Sequence, residues 1–422
     1  MHRVVAALVA LAIGQGNVHA ALLQESGEAM QFEDTFSSEA AEVAQPTLAS
    51  MGALPALSDA VSEGNFSGAR SVYFNYEAPD QTEQAWTLRN LSSEQLSGTN
   101  SGLFAGFEGL YDSSFWLDTL ARDVLFDSMF VDDNPDVAVG AASRSALSIA
   151  ITHVVFSLDE AAQAVNNGTN ATEPLIRAAA TFYGPNGLDS PHELADAMDE
   201  QFNTSNAGNL TRRMSILINN NDTISSDELA NELEELQADV VVPFYQAAAN
   251  SSVALDASYA PPDITEREAE LEWGKAYASW RAVSGYVYEV DQAAAQDVED
   301  RLAFGTNLSE STPMSEGLYC TVVSSVISYT EELGIATGAY GQLEGVPATV
   351  CEGITPEPAL EPAPEEAEAP SPGGGSDSPD GDGGENPDEG DEEAPDVPGK
   401  GERMAKVEVA TMAVMVMSLM LV

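Results

Sequence analysis

Apolar residues recur at three- and four-residue spacing through most of the middle of this chain, and that period confines it to helix packed on helix. Most of the alanine-rich segments "LPALSDAVSEG", "SRSALSIAITHVVFSLDEAAQAV", "EPLIRAAATFYG", "DELANELEELQADVVVPFYQAAA", "EREAELEWGKAYASWRAVSGYVYEVDQAAAQDVEDRLAFG" and "EGLYCTVVSSVISYTEELG" carry it. Start and stop signals agree with the period. Ser225 with Glu228 reads as a capping box, and Gly334 stands where a C-terminal glycine cap belongs. Strand patterns are scarce, and "GARSVYFNYE" is the stretch that passes best as one. The fold expected is all-α, over residues 51–353, as a single large helical domain or two packed helical subdomains.

The two ends read differently. Residues 1–20 have a short basic start, an apolar centre and a small-residue close, the pattern of a secretory signal peptide. Residues 21–50 form an acidic lead-in, with helical character near Ser37 to Ala44. Residues 354–400, rich in Pro, Gly, Asp and Glu, lack the large apolar residues needed to offset chain entropy, so a disordered stalk is expected. Residues 401–422 end in an uncharged apolar run from Val409 to Val422, too short for an ordinary helix across a core of ~30 Å. That tail reads as a GPI-attachment signal, with a short transmembrane anchor as the alternative.

Secretion fits two further features. Asn-x-Ser/Thr sequons stand at Asn65, Asn90, Asn167, Asn170, Asn203, Asn209, Asn221, Asn250 and Asn307, as in a glycoprotein. The two cysteines, Cys320 and Cys351, most simply form one disulfide in an oxidising compartment. The expected location is the extracellular or periplasmic face of the plasma membrane.

With 69 acidic against 15 basic residues, the formal net charge is −54. No basic stripe exists for a phosphate backbone, which excludes nucleic acid as partner and leaves either a cationic partner such as a metal ion or simple solubility at high ionic strength.

The stretch "FYGPNGLDSPHELADAMDEQF" holds one of the two histidines left after the signal peptide. Much of it is helix grammar: a turn through Gly184 to Gly187, Ser190 as N-cap, Pro191 at the first helical position and Glu193 completing a capping box. His192, Asp196 and Asp199 then share one helix face, which suits either a cation or solvent. In "EREAELEWGKAYASWRAVSGYVYEV", Glu270, Tyr277, Arg281, Ser284 and Tyr288 share a stripe beside one formed by Trp273 and Trp280. The tryptophans read as core. An arginine buried among tyrosines needs an anionic partner, either Glu289, another acid of the domain or a bound anion.

Two histidines, His153 and His192, cannot build a multi-histidine metal site. There is no H-E-x-x-H, G-x-S-x-G or P-loop, and "NNNDTISSDELA" lacks the glycine and final glutamate of a calcium loop. A non-enzymatic protein is expected.

The ordered blocks "LSDAVSEGNFSGARSVYFN…LRNLS", "AATFYGPNGLDSPHELADAMDEQFNT" and "DVVVPFYQAAANSSVALDAS…EWGKAYASWRAVSGYVYEV" resemble the low-iron-inducible periplasmic proteins of algae, a family related to the phytotransferrins. The resemblance spans Leu57 to Val290 in short blocks. It implies a surface-held protein that binds or concentrates ferric iron for uptake, with a carbonate-like anion and a reductase or uptake partner of unknown identity. Fe(III) is a hard cation suited to phenolate and carboxylate oxygens. On that chemistry Tyr183, His192, Glu193 and Asp196 in one block, and Tyr277 and Tyr288 in another, are the metal-ligand candidates, and Arg281 would hold the anion. The alternative is a structural or adhesive coat glycoprotein.

Overall fold

The computed structural model describes residues 32, 36–76, 87–93, 104–132, 134–185, 187, 189–220, 223–303 and 317–352. The chain divides into two compact units, Met1–Pro362 and Ala363–Val422. The second unit, the signal peptide 1–20, the stalk 354–400, the tail 401–422 and the sequons at Asn221 and Asn307 lie outside the described residues.

Within the first unit the described residues form helices and no strand. In chain order they are α1 (Ser38–Met51), α2 (Ala53–Ser62), α3 (Phe66–Asn75), α4 (Leu88–Ser93), α5 (Ala105–Tyr111), α6 (Trp116–Phe126) and α7 (Ser128–Val131). There follow α8 (Pro135–Asn166), α9 (Thr172–Tyr183), α10 (Pro191–Phe202), α11 (Asn206–Asn220), α12 (Ser226–Asp239) and α13 (Val242–Leu255). The series closes with α14 (Glu266–Arg281), α15 (Ser284–Val290), α16 (Gln292–Leu302) and α17 (Leu318–Ile327).

The axis of the fold is α8, whose 32 residues span about 48 Å at the helical rise. Pro135 occupies its first turn, where the missing N–H costs nothing. The helix packs on α14, α9, α12, α6 and α2, so residues on most of its faces are buried. It is long and apolar enough to cross a membrane, yet 78% of its most apolar window is buried in the domain. Its hydroxyls do not strain that burial. Ser145 donates to the Ala141 carbonyl at 2.7 Å, Thr152 to Ser148 at 2.8 Å, and Ser148 also to Ala278 of α14 at 3.1 Å.

Two glycines let α8 and α14 cross in backbone contact. A Cβ on Gly140 would lie 2.1 Å from the Leu271 carbonyl oxygen, and one on Gly274 would lie 2.2 Å from that of Val137. Trp273 and Trp280 are core, as expected; the Trp273 indole N–H donates to the Leu302 carbonyl at 3.0 Å and ties α14 to α16. Cys320 and Cys351 form the disulfide, with Cα atoms 5.3 Å apart.

Three local expectations change. "GARSVYFNYE" is helix: Asn65 caps α3 by accepting the Gly68 N–H at 2.9 Å, and Phe66, Ala69 and Tyr73 share its buried side. The packed body also includes α1, where Ala40, Ala41, Ala44 and Leu48 are buried, so the acidic lead-in does not extend to residue 50. Gly334 has the left-handed φ of 71° expected of a cap, but it closes a run of turns, since α17 ends at Ile327.

Candidate functional site

A polar group inside the helical packing surrounds Arg281, the last residue of α14. Its Nε and Nη2 donate to Glu299 Oε1 on α16 at 2.9 and 2.7 Å. The guanidinium carbon lies 4.7 Å from the ring centre of Tyr111 and 4.5 Å from that of Tyr277, in cation–π contact with both. Tyr111 Oη donates to Glu299 Oε2 at 3.0 Å and shares a 2.7 Å hydrogen bond with Ser284 Oγ. The side chains of Arg281 and Glu299 are 17% and 9% exposed, so this is a mostly desolvated ion pair rather than a surface bridge. Among the described residues, Arg281 Nη1 donates no hydrogen bond, which leaves one edge of the fork unused.

Electrostatics at the cluster follow from burial. Desolvation pushes both phenols well above the ordinary tyrosine value; for each, the Glu299 charge adds to this and Arg281 opposes it. Burial also raises the Asp123 carboxyl, which Arg281 partly offsets. For Arg281 itself burial acts downward, but Tyr277, Glu299 and Tyr111 outweigh it and hold the guanidinium charged. The arrangement offers two phenol oxygens, a carboxylate and a free guanidinium edge in one place.

The sequence candidates fall into separate places. Tyr277 and Arg281 belong to this cluster. Tyr288, on α15, packs its ring against Gly109 of α5, where a Cβ would lie 2.9 Å from its Cε1, and it makes no hydrogen bond among the described residues. Tyr183, at the end of α9, meets His192 of α10 at 4.8 Å between ring centres, with Phe32 and Phe36 edge-on to the tyrosine. His192 is half-buried, and burial lowers its pKa, partly offset by Asp196 and Asp199. Asp196 is exposed.

Two acids of that block have structural duties. Ser190 Oγ accepts the Glu193 N–H at 3.2 Å as an N-cap should, but the Glu193 carboxylate accepts the Asp189 N–H, one residue before the cap. Asp199 accepts from the Asn206 and Ala207 amides at 2.7 and 2.8 Å and so begins α11. Among the described residues no group of three or more His, Cys, Asp and Glu could hold a metal ion. His153 is core, 2% exposed.

Sequence reasoning does not single out Tyr111, Glu299 or Asp123. A signal exists for Glu299: Ala295, Val298 and Leu302 form the buried stripe of α16, and an acid at 299 lies on it. Glu289, the acid named for Arg281, instead accepts the Gly106 N–H at 2.9 Å.

Fold and site together define an all-α domain with a buried phenol–guanidinium–carboxylate cluster. No protein-family model matches the chain, and no curated protein or solved structure is significantly similar to it.

Proposed function

We propose that this chain is a secreted, surface-held glycoprotein that binds ferric iron, taking the ion at Tyr111, Tyr277 and Glu299 with a carbonate-like anion on Arg281. The observation that carries the reading is the Nη1 edge of Arg281, unused among the described residues, beside two phenols and a carboxylate. Phenol and carboxylate oxygens suit Fe(III), and a guanidinium matches a planar oxyanion. Because burial keeps both phenols protonated, iron binding must release protons, and affinity falls as pH falls. The described sequons support the glycoprotein half: Asn65, Asn167, Asn170 and Asn203 are exposed, and Asn90, Asn209 and Asn250 half-buried.

The test is the visible spectrum of the purified chain with ferric ion and bicarbonate. The expected result is a phenolate charge-transfer band that Tyr277→Phe and Tyr111→Phe each diminish and Tyr183→Phe leaves in place. Loss of the band in Tyr183→Phe alone would move the site to the α9–α10 pair. Absence of any band would favour the coat-glycoprotein reading, to which the pairing of Arg281 with Glu299 already lends weight. For the lipid anchor, a GPI-specific phospholipase should release the protein from cells, and retention beside a released GPI-linked control would count against it.

A further inference from the structure

Arg144, in the middle of α8, lines a cleft of about 270 Å³ between α2, α8 and the start of α10. Among the described residues its guanidinium has no hydrogen-bond acceptor and no ion-pair partner. Glu193 and Glu272 act on it electrostatically, but both are engaged. Glu193 accepts the Asp189 amide, while Glu272 takes the Lys275 ammonium at 2.7 Å and the Ser251 hydroxyl at 2.7 Å. Arg144 is half-buried, and burial pushes its pKa down. A guanidinium carries five N–H donors in a planar fork, and at Arg144 they line the cleft with no acceptor among the described residues. The fork matches a carboxylate best.

The rest of the cleft defines the ligand more closely. Ser58, Ser143, Asp189 and Glu193 supply its polar wall, and Leu54, Leu147 and Leu194 its apolar one. Asp189 is held in the left-handed region at φ 45°, and burial raises its carboxyl pKa. One guanidinium thus faces two carboxylates. A simple anion is drawn by one charge and repelled by two, and a simple cation is opposed by Arg144. A molecule bearing both signs satisfies all three. The volume lies below the usual range of ligand pockets, ~300–1,000 Å³, which favours a molecule of about ten heavy atoms over a peptide or nucleotide.

The geometry points to a binding site for a small zwitterion of the α-amino-acid class. Its carboxylate lies on Arg144, its ammonium toward Asp189 and Glu193, and a short apolar side chain against Leu54, Leu147 and Leu194. None of Tyr111, Tyr277, Arg281 and Glu299 lines this cleft, so the site stands whether or not the chain binds iron.

Equilibrium dialysis of the full chain with tritiated L-leucine tests it. Competitors are 4-methylpentanoate, which lacks the ammonium, and isopentylamine, which lacks the carboxylate. Leucine should bind, and each competitor should be at least about tenfold weaker, a difference of ~1.4 kcal/mol. Arg144→Gln should abolish binding. Asp189→Asn, which tolerates the same left-handed backbone, should weaken it about tenfold with helical content unchanged. If leucine is not retained at about 10 mM, if 4-methylpentanoate competes as well as leucine itself, or if both variants bind like the parent, the assignment is wrong. Should Arg144→Gln fail to fold, the Asp189→Asn result and the competitor ratios decide.

Discussion

Arg281 directs two of its nitrogens to a single oxygen of Glu299, at 2.9 and 2.7 Å, and so joins the end of α14 to the last turn of α16. Removing one partner leaves a charge stranded between two aromatic rings. Glu299→Gln should therefore destabilise the domain by about 3–5 kcal/mol, whereas Arg281→Met with Glu299→Leu should recover most of that loss. Urea unfolding of the single and double variants measures both. A single variant within about 1 kcal/mol of the parent would mean the pair is better hydrated than its burial indicates.

The α8–α14 crossing makes an equally direct prediction. A Cβ on Gly274 would lie 2.2 Å from the Val137 carbonyl oxygen and 2.5 Å from the Ala141 nitrogen, both backbone atoms that cannot swing away. Gly274→Ala should cost about 1–3 kcal/mol or more as the helices are forced apart. Gly208, in α11, has no atom within 4 Å of the position a methyl would take, so Gly208→Ala should be neutral or stabilising by up to about 1 kcal/mol. Thermal unfolding of the two alanine variants should move in opposite directions.

His153 is buried in α8, and burial, with the Arg177 charge adding, depresses its pKa to about 3. In the unfolded chain the value returns to about 6.5. Above that pH neither state binds the proton. Between the two values the unfolded state binds it and the folded state does not, so stability falls with falling pH at up to about 1.4 kcal/mol per unit. Buried acids with raised pKa values, such as Asp123 and Asp239, contribute with the opposite sign and are common to parent and variant. The measurement is the slope of unfolding free energy from pH 6 to pH 4, as an approximate window within that range. His153→Leu should flatten the histidine component of this slope, and an unchanged slope would show that the histidine is protonated in the fold.

The Cys320–Cys351 bridge closes a loop with a sequence separation of 31 and holds the segment after α17 to that helix. Chain-entropy arguments put its contribution at about 3–4 kcal/mol. Reduction should lower the melting temperature accordingly. The unreduced protein should yield no thiol to alkylating reagents, which mass spectrometry can count.

Local chemistry, readable along the chain, determined that these segments are helices and where several of them begin. The three- and four-residue period marks α8 and α14, Pro135 and Pro191 stand at first helical turns, and Ser190 and Ser225 cap because their hydroxyls reach an amide three residues on. The same local view named Tyr277 and Arg281 and required an anionic partner for the arginine, an acid of the domain or a bound anion. Which acid answered was decided by packing: Glu299 lies 18 residues away on another helix, and Glu289, closer in sequence, turns to the Gly106 amide. Only packing could separate Tyr183 and His192 from Tyr277, assign Asp199 to capping α11, and place Arg144 in a cleft with no partner among the described residues. Periodicity reports which side of a helix is apolar, but the close approach of Gly140 and Gly274 sets which helices meet there and which polar groups they enclose.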